Sequence, residues 1–483
     1  MSNNPEVNKR TVLLSFFWKF MERGFSQGLS LFIQVVLARI LLPEDFGSMA
    51  ILVAVIGYAS VFVQAGLSTA IIQKKELETK DVDTVLTASL GIAVVMYMIL
   101  FVASPLVADY YKSAELLWAL RIQGLMLFFE AYNAVQIAIV SRRMQFRMLF
   151  LRSMLAIPIS GAVGIGMALC GFGVWALIGQ SLCSSMVTVI FLSWGGDYCL
   201  RLGFSLESAR ALYGFGVKIL LANLISQFHD MFRVMSIGWV FSKTDLAFFD
   251  KGFTYAKYAN TLISDSLSSV LLPVFSRRQD NPQELLQMAR KSVQISSFVV
   301  FPLLLGIAAL SKPLVSLILT DKWLDCVPFL ALFCIFRLPG CISTIDKQIF
   351  FALGHSEIAF YYETGLMMVN MSTLLLALHY DVWTVAVVGT GVEISASIVI
   401  YVIAKKLYSY TFAMRMKDLL PSLIISIILC YILYMLIAED ILIGWWIAVM
   451  SFMIFVIYLG IAYAVKISGC VYLCNLLRNF IVK

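Results

Sequence analysis

Charged residues are scarce in this chain. Lysine, arginine, aspartate and glutamate make up 13% of the 483 residues, whereas apolar residues make up 61%. A soluble domain has about a quarter charged and about half apolar residues, so composition excludes that class. Apolar segments of roughly 20 residues or more follow one another with short breaks, which is typical of helices crossing about 30 Å of hydrocarbon. The sequence predicts an all-α polytopic membrane protein.

Signatures of catalysis and cofactor binding are also missing. The sequence has no G-x-x-x-x-G-K-[ST] phosphate loop, no glycine-rich dinucleotide turn and no hydrophilic insertion long enough for a catalytic domain. His229, His355 and His379 stand far apart, and the closely spaced Cys470 and Cys474 have no histidine nearby. We therefore expect no enzyme, no cofactor and no metal site. The net charge of +7 indicates topology and not a nucleic-acid partner.

Counting apolar segments between polar boundaries gives fourteen predicted transmembrane helices. They are 13–41, 46–70, 84–108, 116–139, 149–170, 174–194, 213–240, 246–272, 292–311, 326–352, 358–379, 383–404, 419–437 and 442–464. Basic residues favour one set of loops by roughly four to one, which places both termini in the cytoplasm.

Polar breaks divide the chain into predicted domains. An N-terminal six-helix lobe covers 1–200, a cytoplasmic linker helix covers 201–211, and a second six-helix lobe covers 212–408. Two extra transmembrane helices and a cytoplasmic tail follow at 409–483.

A shift of 200 residues supports a duplicated six-helix unit. It aligns 38–47 with 238–247, so that Asp45 coincides with Asp245. Internal repeats of this kind are typical of transporters, in which the substrate site lies between the halves near the bilayer midplane.

Two ordered groups of motifs carry a family resemblance. They are Leu37–Gly47 (LARILLPEDFG) with Gly66-Leu67-Ser68 and Ile72-Gln73-Lys74-Lys75, and Leu271–Gln279 (LLPVFSRRQ) with Phe301–Gly306 and Lys322-Trp323. From about residue 11 to 400, this series resembles the polysaccharide transporter family. These are the Wzx-type flippases of lipid-linked oligosaccharides, and the similarity is greatest to the colanic-acid-flippase-like branch.

The resemblance implies a fold and a function. The fold would be that of the multidrug, oligosaccharidyl-lipid and polysaccharide (MOP) exporter superfamily, with two six-helix lobes in a V and two C-terminal helices, as in the MATE transporters. The function would be movement of undecaprenyl-pyrophosphate-linked repeat units to the periplasmic leaflet of the bacterial inner membrane, for O-antigen, capsule or exopolysaccharide. The implied partners are the lipid-linked oligosaccharide, membrane lipids, a coupling H+ or Na+, and a polymerase with its chain-length regulator.

Basic residues inside the predicted spans are the candidate substrate-binding residues. A charge at membrane depth costs a few kcal/mol unless it meets a partner or water. An arginine fork suits a pyrophosphate because it donates paired hydrogen bonds and keeps its charge. The candidates are Arg23, Arg233 and Arg337, followed by Arg121 and Lys257. Lys19 and Lys218 are interpreted as anchors that reach the cytoplasmic surface.

Acidic residues inside the spans have two interpretations. The first is structural pairing with bases: Glu22 with Lys19 or Arg23, Asp230 with Arg233 or His229, and Asp346 with the neighbours of Lys347 across a helix interface. The second is ion coupling, because a buried carboxyl group can bind and release a proton as a cavity opens to either side. The ion-coupling candidates are Asp265, Glu393 and Glu22.

Other functions stay open at this level. A MATE-type multidrug antiporter would favour acids and aromatics in its cavity, whereas Lys19, Arg23 and Arg233 favour an anionic cargo. A non-transporting scaffold of a polysaccharide assembly complex would depend on cytoplasmic loops such as 279–291. An integral glycosyltransferase or ligase would call for long extracytoplasmic loops, which the sequence lacks.

Overall fold

The computed structural model describes residues 9–64, 71, 74, 77–195, 201–276, 278, 281–439 and 444–472, with side chains at these positions except 9–17, 20, 195, 211–219, 222, 261–270, 272, 273, 341 and 356. Every regular element in this part of the chain is helical. Ten helical segments within it are long and apolar enough to cross a membrane. The predicted all-α membrane class is confirmed, and the total of fourteen spans stays a prediction.

The chain forms two compact units, Met1–Ala247 and Phe248–Lys483. The first unit contains α1 (Lys9–Ile40), α2 (Pro43–Gln64), α3 (Thr79–Tyr110), α4 (Ala114–Gln123), α5 (Met126–Arg142), α6 (Phe146–Leu169), α7 (Val174–Gly195), α8 (Leu206–Val240) and the first turn of α9 (Lys243–Ser276). The second contains the rest of α9 and then α10 (Pro282–Ala309), α11 (Ser311–Ile318), a 3-10 turn (Asp321–Cys326), α12 (Val327–Phe336), α13 (Leu338–Ala352), α14 (Ser356–Ala377), α15 (Val382–Tyr408), α16 (Phe412–Ala438) and α17 (Trp445–Ala464).

Two predicted spans are each interrupted by a short break. The predicted span 116–139 is divided between α4 and α5 at Gly124, and the predicted span 326–352 is divided between α12 and α13 at Arg337. Pro339 stands in the first turn of α13. Proline has no N–H and its ring displaces the preceding turn, so it ends α12 and starts a new helix.

The α1–α2 and α8–α9 turns, which lie 200 residues apart, have the same local structure. The Asp45 carboxylate accepts the backbone N–H of Leu42 at 2.9 Å. The Asp245 carboxylate accepts the N–H of Ser242 at 3.2 Å. Each aspartate thus satisfies a main-chain donor at the start of its helix. The alignment at 38–47 and 238–247 therefore corresponds to a repeated helix–turn–helix corner.

These two corners pack against each other within the first unit. A Cβ atom at Gly47 would lie 1.9 Å from the carbonyl oxygen of Lys243, so only glycine allows this approach. The Lys243 ammonium donates to the Ser113 hydroxyl at 2.8 Å and lies 3.8 Å from the Glu44 carboxylate. The start of α9 is thereby held on α2 and on the turn before α4.

The C-terminal helices form part of the core of the second unit. Tyr458 of α17 donates its hydroxyl hydrogen to the Phe298 carbonyl of α10 at 2.9 Å, and the two rings stack at 5.2 Å. After α17, a Cβ at Gly469 would lie 2.5 Å from the Gln294 carbonyl oxygen of α10. Both α16 and α17 therefore pack as integral helices of this unit.

Candidate functional site

Glu22 of α1 is held by α6. Its carboxylate lies 3.4 Å from the Arg152 guanidinium and accepts a hydrogen bond from the Ser153 hydroxyl at 3.3 Å. Both charged side chains are about four-fifths buried in the protein, with exposures of 18% for Arg152 and 20% for Glu22. The sequence analysis omitted Arg152 from the embedded bases, although it lies three residues inside the predicted span 149–170.

Lys19 and Arg23, which share a face of α1 with Glu22, point outward. The side chains of Lys19 and Arg23 are exposed in the first unit. The Lys19 ammonium lies 5.2 Å from the ring centroid of Phe146, at the start of α6. One face of α1 therefore carries a buried acid with a partner on α6 and two exposed bases.

Of the two first-ranked candidate bases in the first unit, Arg23 and Arg233, Arg233 of α8 is the more buried. Its guanidinium lies 3.1 Å from the Asp230 carboxylate, one turn earlier, and His229 Nδ1 lies 3.9 Å from the same carboxylate. The predicted pairing of Asp230 is thus confirmed. Arg233 is 17% exposed and Asp230 is 44% exposed, so the acid presents more surface than the base.

Arg121, a further candidate, is fixed by neighbours in α3 and α4. Its Nε donates to the Ser104 hydroxyl at 2.9 Å, and its guanidinium carbon lies 3.9 Å from the ring centroid of Phe101. The same guanidinium carbon lies 5.2 Å from the ring centroid of Trp118. These contacts stabilise the cation through ring faces and a hydroxyl acceptor rather than through an acid.

In the second unit, the predicted bases occupy different environments. The Arg337 guanidinium, at the α12–α13 break, lies over the Phe253 ring at 4.6 Å. Lys257 of α9 is exposed. The Lys347 ammonium of α13 pairs with the Glu363 carboxylate of α14 at 2.7 Å.

The ion-coupling candidates are also distributed over both units. Glu393 has an exposed side chain on α15, and Glu22 is the buried acid described above. The backbone of Asp265 lies in α9, and its side chain lies outside the described residues.

Asp346 of α13 forms the most deeply buried ion pair of the described chain. It accepts hydrogen bonds from Arg415 of α16 at 2.7 and 3.0 Å, and a third from the Tyr408 hydroxyl. Both charged side chains have no exposed surface. The pair crosses a helix interface, as predicted for Asp346, but its base is Arg415 and not one of the embedded bases named from the sequence. Arg415 lies inside α16, which begins at Phe412, seven residues before the predicted span 419–437.

A second bidentate ion pair, Arg290–Asp418, lies next to the Asp346–Arg415 pair. Arg290 of α10 donates two hydrogen bonds of 2.8 Å to Asp418 of α16, which also accepts from Tyr410 at 2.9 Å and from Gln294 at 2.7 Å. Burial, and then the Asp418 charge, raise the pKa of Tyr410 far above its ordinary value, so its hydroxyl remains a donor. Arg415 also stacks on Tyr410 at 4.3 Å, which joins the two pairs.

These two pairs stabilise the second unit and leave little capacity for a ligand. Each carboxylate already accepts three or four hydrogen bonds, close to its full capacity. Among the described residues, no group of three or more histidine, cysteine or acidic side chains could hold a metal ion. The bases with exposed or half-buried side chains are therefore the groups that can meet an anion.

The fold defines a class of membrane protein. A lipid II flippase, MurJ, in an inward closed conformation has the same fold, with a TM-score of 0.75, 16% identity and coverage of 93% of this chain and 99% of that chain. An inward-facing multidrug resistance MATE family transporter of the MOP superfamily gives a TM-score of 0.63 at 16% identity, covering 82% and 99%. The predicted MOP-type fold is confirmed.

The family follows from the sequence. Residues 36–328, more than half of the chain, match the family described as "Polysaccharide biosynthesis protein", and the chain belongs to that family. The succinoglycan biosynthesis transport protein ExoT of Rhizobium meliloti (strain 1021) is 26% identical over 68% of this chain. The lipopolysaccharide biosynthesis protein WzxC of Escherichia coli (strain K12) is 23% identical over 71% of this chain and 70% of its own. The match covers 66% of ExoT, just under two thirds of its length.

Proposed function

We propose that this protein is a flippase that moves undecaprenyl-pyrophosphate-linked oligosaccharide repeat units across the bacterial inner membrane. The observation that carries the proposal is the combination of a polysaccharide-biosynthesis family with a fold that covers 99% of a lipid II flippase. The repeat unit would pass from the cytoplasmic to the periplasmic leaflet and supply a surface polysaccharide. The protein would move its cargo without making or breaking a covalent bond.

The pyrophosphate of such a cargo calls for cations that it can reach. We assign this contact first to Arg23, Arg233 and Arg337. Arg23 has an exposed side chain, and Arg233 presents a partly exposed guanidinium beside Asp230. Arg337 lies at a helix break, where its guanidinium lies over the Phe253 ring at 4.6 Å. We assign Arg121 and Lys257 as secondary contacts.

Ion coupling is assigned to Asp265, Glu393 and Glu22. Glu22 suits this role because its carboxylate is the group that holds Arg152. Protonation would remove the negative charge and weaken that bond, so a proton at Glu22 could change the packing of α1 on α6. Sodium ions would act on the same carboxylates by binding them directly.

The proposed setting follows the same reasoning. Both termini would lie in the cytoplasm, because basic residues favour those loops. The linker at 201–211 would separate two functional lobes. The polymerase and chain-length regulator would act on the flipped repeat unit on the periplasmic side.

The test is an assay of repeat-unit orientation. After the gene is deleted in its own organism, lipid-linked repeat units are expected to accumulate on the cytoplasmic face. A labelled lectin added to the periplasmic side could not bind them there. Wild-type protein should reverse the accumulation and Arg233→Ala should not. Lys405→Ala, which removes an exposed base from the last turn of α15, is the matched control and should restore export.

The same experiment separates the competing functions. A multidrug antiporter, favoured by the MATE-like fold, would leave repeat units correctly distributed and would instead change resistance to organic cations. A scaffold function would be rescued by the double variant Asp230→Ala, Arg233→Ala, in which no acid is left without its base, because assembly would depend on surface loops. Either result would contradict the flippase proposal.

A further inference from the structure

A second basic surface lies where the start of α6 meets α1 at Trp18 and Lys19, apart from the bases assigned to the cargo. Lys19 of α1 lies over the ring of Phe146 in α6, at 5.2 Å. Arg147 of α6 lies over the ring of Trp18 in α1, at 5.8 Å. The arrangement is crossed, because each helix supplies a cation to the aromatic ring of the other. Both cations therefore lie at the seam between the two helices, and both side chains are exposed.

The helices run parallel through this seam. Contacts between them occur in the same order along both helices. Trp18 lies 5.4 Å from Phe150, Glu22 pairs with Arg152, and Ile33 packs against Gly161, where a Cβ would lie 2.3 Å from its side chain. Lys19 and Arg147 therefore lie at the same level of the membrane.

That level is the membrane surface. The 24 residues of α6 extend about 36 Å at 1.5 Å per residue, which exceeds the roughly 30 Å of hydrocarbon. Phe146 and Arg147 occupy its first turn, so they lie among headgroups and not among acyl chains. Aromatic rings and basic side chains are the groups that anchor to this layer.

Neighbouring acids do not neutralise this pair of cations. Among the described residues, neither Lys19 nor Arg147 has an ion pair with a carboxylate. The acid one turn further along α1, Glu22, is turned toward Arg152 and Ser153. Sequestering that acid leaves the seam with a positive charge that faces the lipid headgroups.

We propose that Trp18, Lys19, Phe146 and Arg147 form a binding site for the phosphate headgroup of an anionic phospholipid of the surrounding bilayer. The two cations would bind the phosphate from either side of the seam, and the rings would hold the cations in place. An anionic lipid bound here would fix α1 against α6 at the membrane surface. This proposal concerns a resident lipid and is independent of the transported cargo.

The test is titration of the purified, detergent-solubilised protein with dioleoyl phosphatidylglycerol, followed by native mass spectrometry. Each base near an anionic headgroup is worth about fivefold in affinity, so the double variant Lys19→Ala, Arg147→Ala should bind the first phosphatidylglycerol roughly 25-fold more weakly. Binding of dioleoyl phosphatidylcholine should stay unchanged. The control Lys405→Ala, Lys406→Ala removes two exposed bases from the last turn of α15, and it should bind like wild type.

A conservative variant keeps the test valid if the double variant folds poorly. Phe146→Leu retains both charges and removes one ring, so the affinity for phosphatidylglycerol should fall about twofold to fivefold. Equal affinity in wild type and both seam variants would overturn the proposal, and so would an equal loss in the Lys405, Lys406 control. If undecaprenyl pyrophosphate displaced the lipid one for one, the site would belong to the cargo and the proposal would be wrong.

Discussion

Arg415 of α16 donates two hydrogen bonds to Asp346 of α13, at 2.7 and 3.0 Å, with both side chains completely buried. A buried ion pair is expensive to form, but it is more expensive to break, because the remaining charge is left without a partner. This pair joins α13 to α16, the first of the two C-terminal helices. The joint is therefore a structural requirement and not an accessory.

The first prediction concerns this pair. Arg415→Met should destabilise the protein by about 3–5 kcal/mol, because Asp346 keeps a charge in an apolar setting. The double variant Asp346→Asn, Arg415→Met should recover part of that loss. The measurement is reversible unfolding in mixed micelles, followed by tryptophan fluorescence.

Lys347→Met is the control for this prediction. It breaks the neighbouring pair with Glu363, whose carboxylate is 53% exposed, so it should cost about 0–1 kcal/mol. A loss at Lys347 as large as that at Arg415 would show that burial does not decide the cost.

The second prediction concerns the close approach of the two repeated corners. Gly47→Ala places a methyl group 1.9 Å from the Lys243 carbonyl oxygen, so α2 and α9 must separate and the melting temperature should fall. Gly91→Ala is the control, because a Cβ there meets nothing within 4 Å and alanine favours the helix by up to about 1 kcal/mol. Equal melting temperatures for the two variants would argue against a tight contact.

The third prediction separates pairing from cargo binding at Arg233. Arg233→Ala should lower the protein level, because Asp230 loses its partner, and should abolish export. Asp230→Ala, Arg233→Ala should restore the protein level but not export, with transport reduced about tenfold or more by the loss of a charged hydrogen bond. Quantitative immunoblots and surface polysaccharide measure the two effects. Export by the double variant would remove Arg233 from the cargo site.

The fourth prediction concerns the energy source. If Glu22, Glu393 and Asp265 couple transport to an ion, amide substitutions at these positions should abolish the stimulation of flipping by an imposed proton or sodium gradient in vesicles. Glu363→Gln, which alters an exposed acid paired with Lys347, should retain it. Transport that continues unchanged after both gradients are collapsed would rule out ion coupling.

Some helix ends and turns could be predicted from the sequence. The α1–α2 and α8–α9 corners repeat because an aspartate near each helix start satisfies a nearby main-chain donor, and this signal lies within four residues. The break at Arg337 was missed although Pro339 stands beside it, because the apolar run continues through both helices. Hydropathy records the crossing of the membrane but not an interruption inside it.

The partners of the embedded charges could not be predicted. Arg415 and Asp418 lower the local hydropathy, so the apolar count begins at 419, yet α16 begins at Phe412. Their cost is offset by Asp346 and Arg290, which come from helices more than 60 residues away in sequence. Arg152 lies inside the predicted span 149–170 and could have been counted, but its partner Glu22, 130 residues away, could not be predicted. Helical periodicity indicates which side chains share a face, but not which helix packs against that face.

The contact between Gly47 and the backbone of Lys243 also restricts how the two repeats can evolve. The residue that aligns with Gly47 is Ala247, and an alanine at position 47 would collide with a main-chain oxygen. Two identical repeats could not make this contact with alanine in both copies. The opposing atoms belong to the backbone, so this contact itself places no demand on the side chain at 243. Substitution is thus nearly forbidden at position 47 and is left open by this contact at position 243, so the two corners can diverge in sequence while they stay in contact.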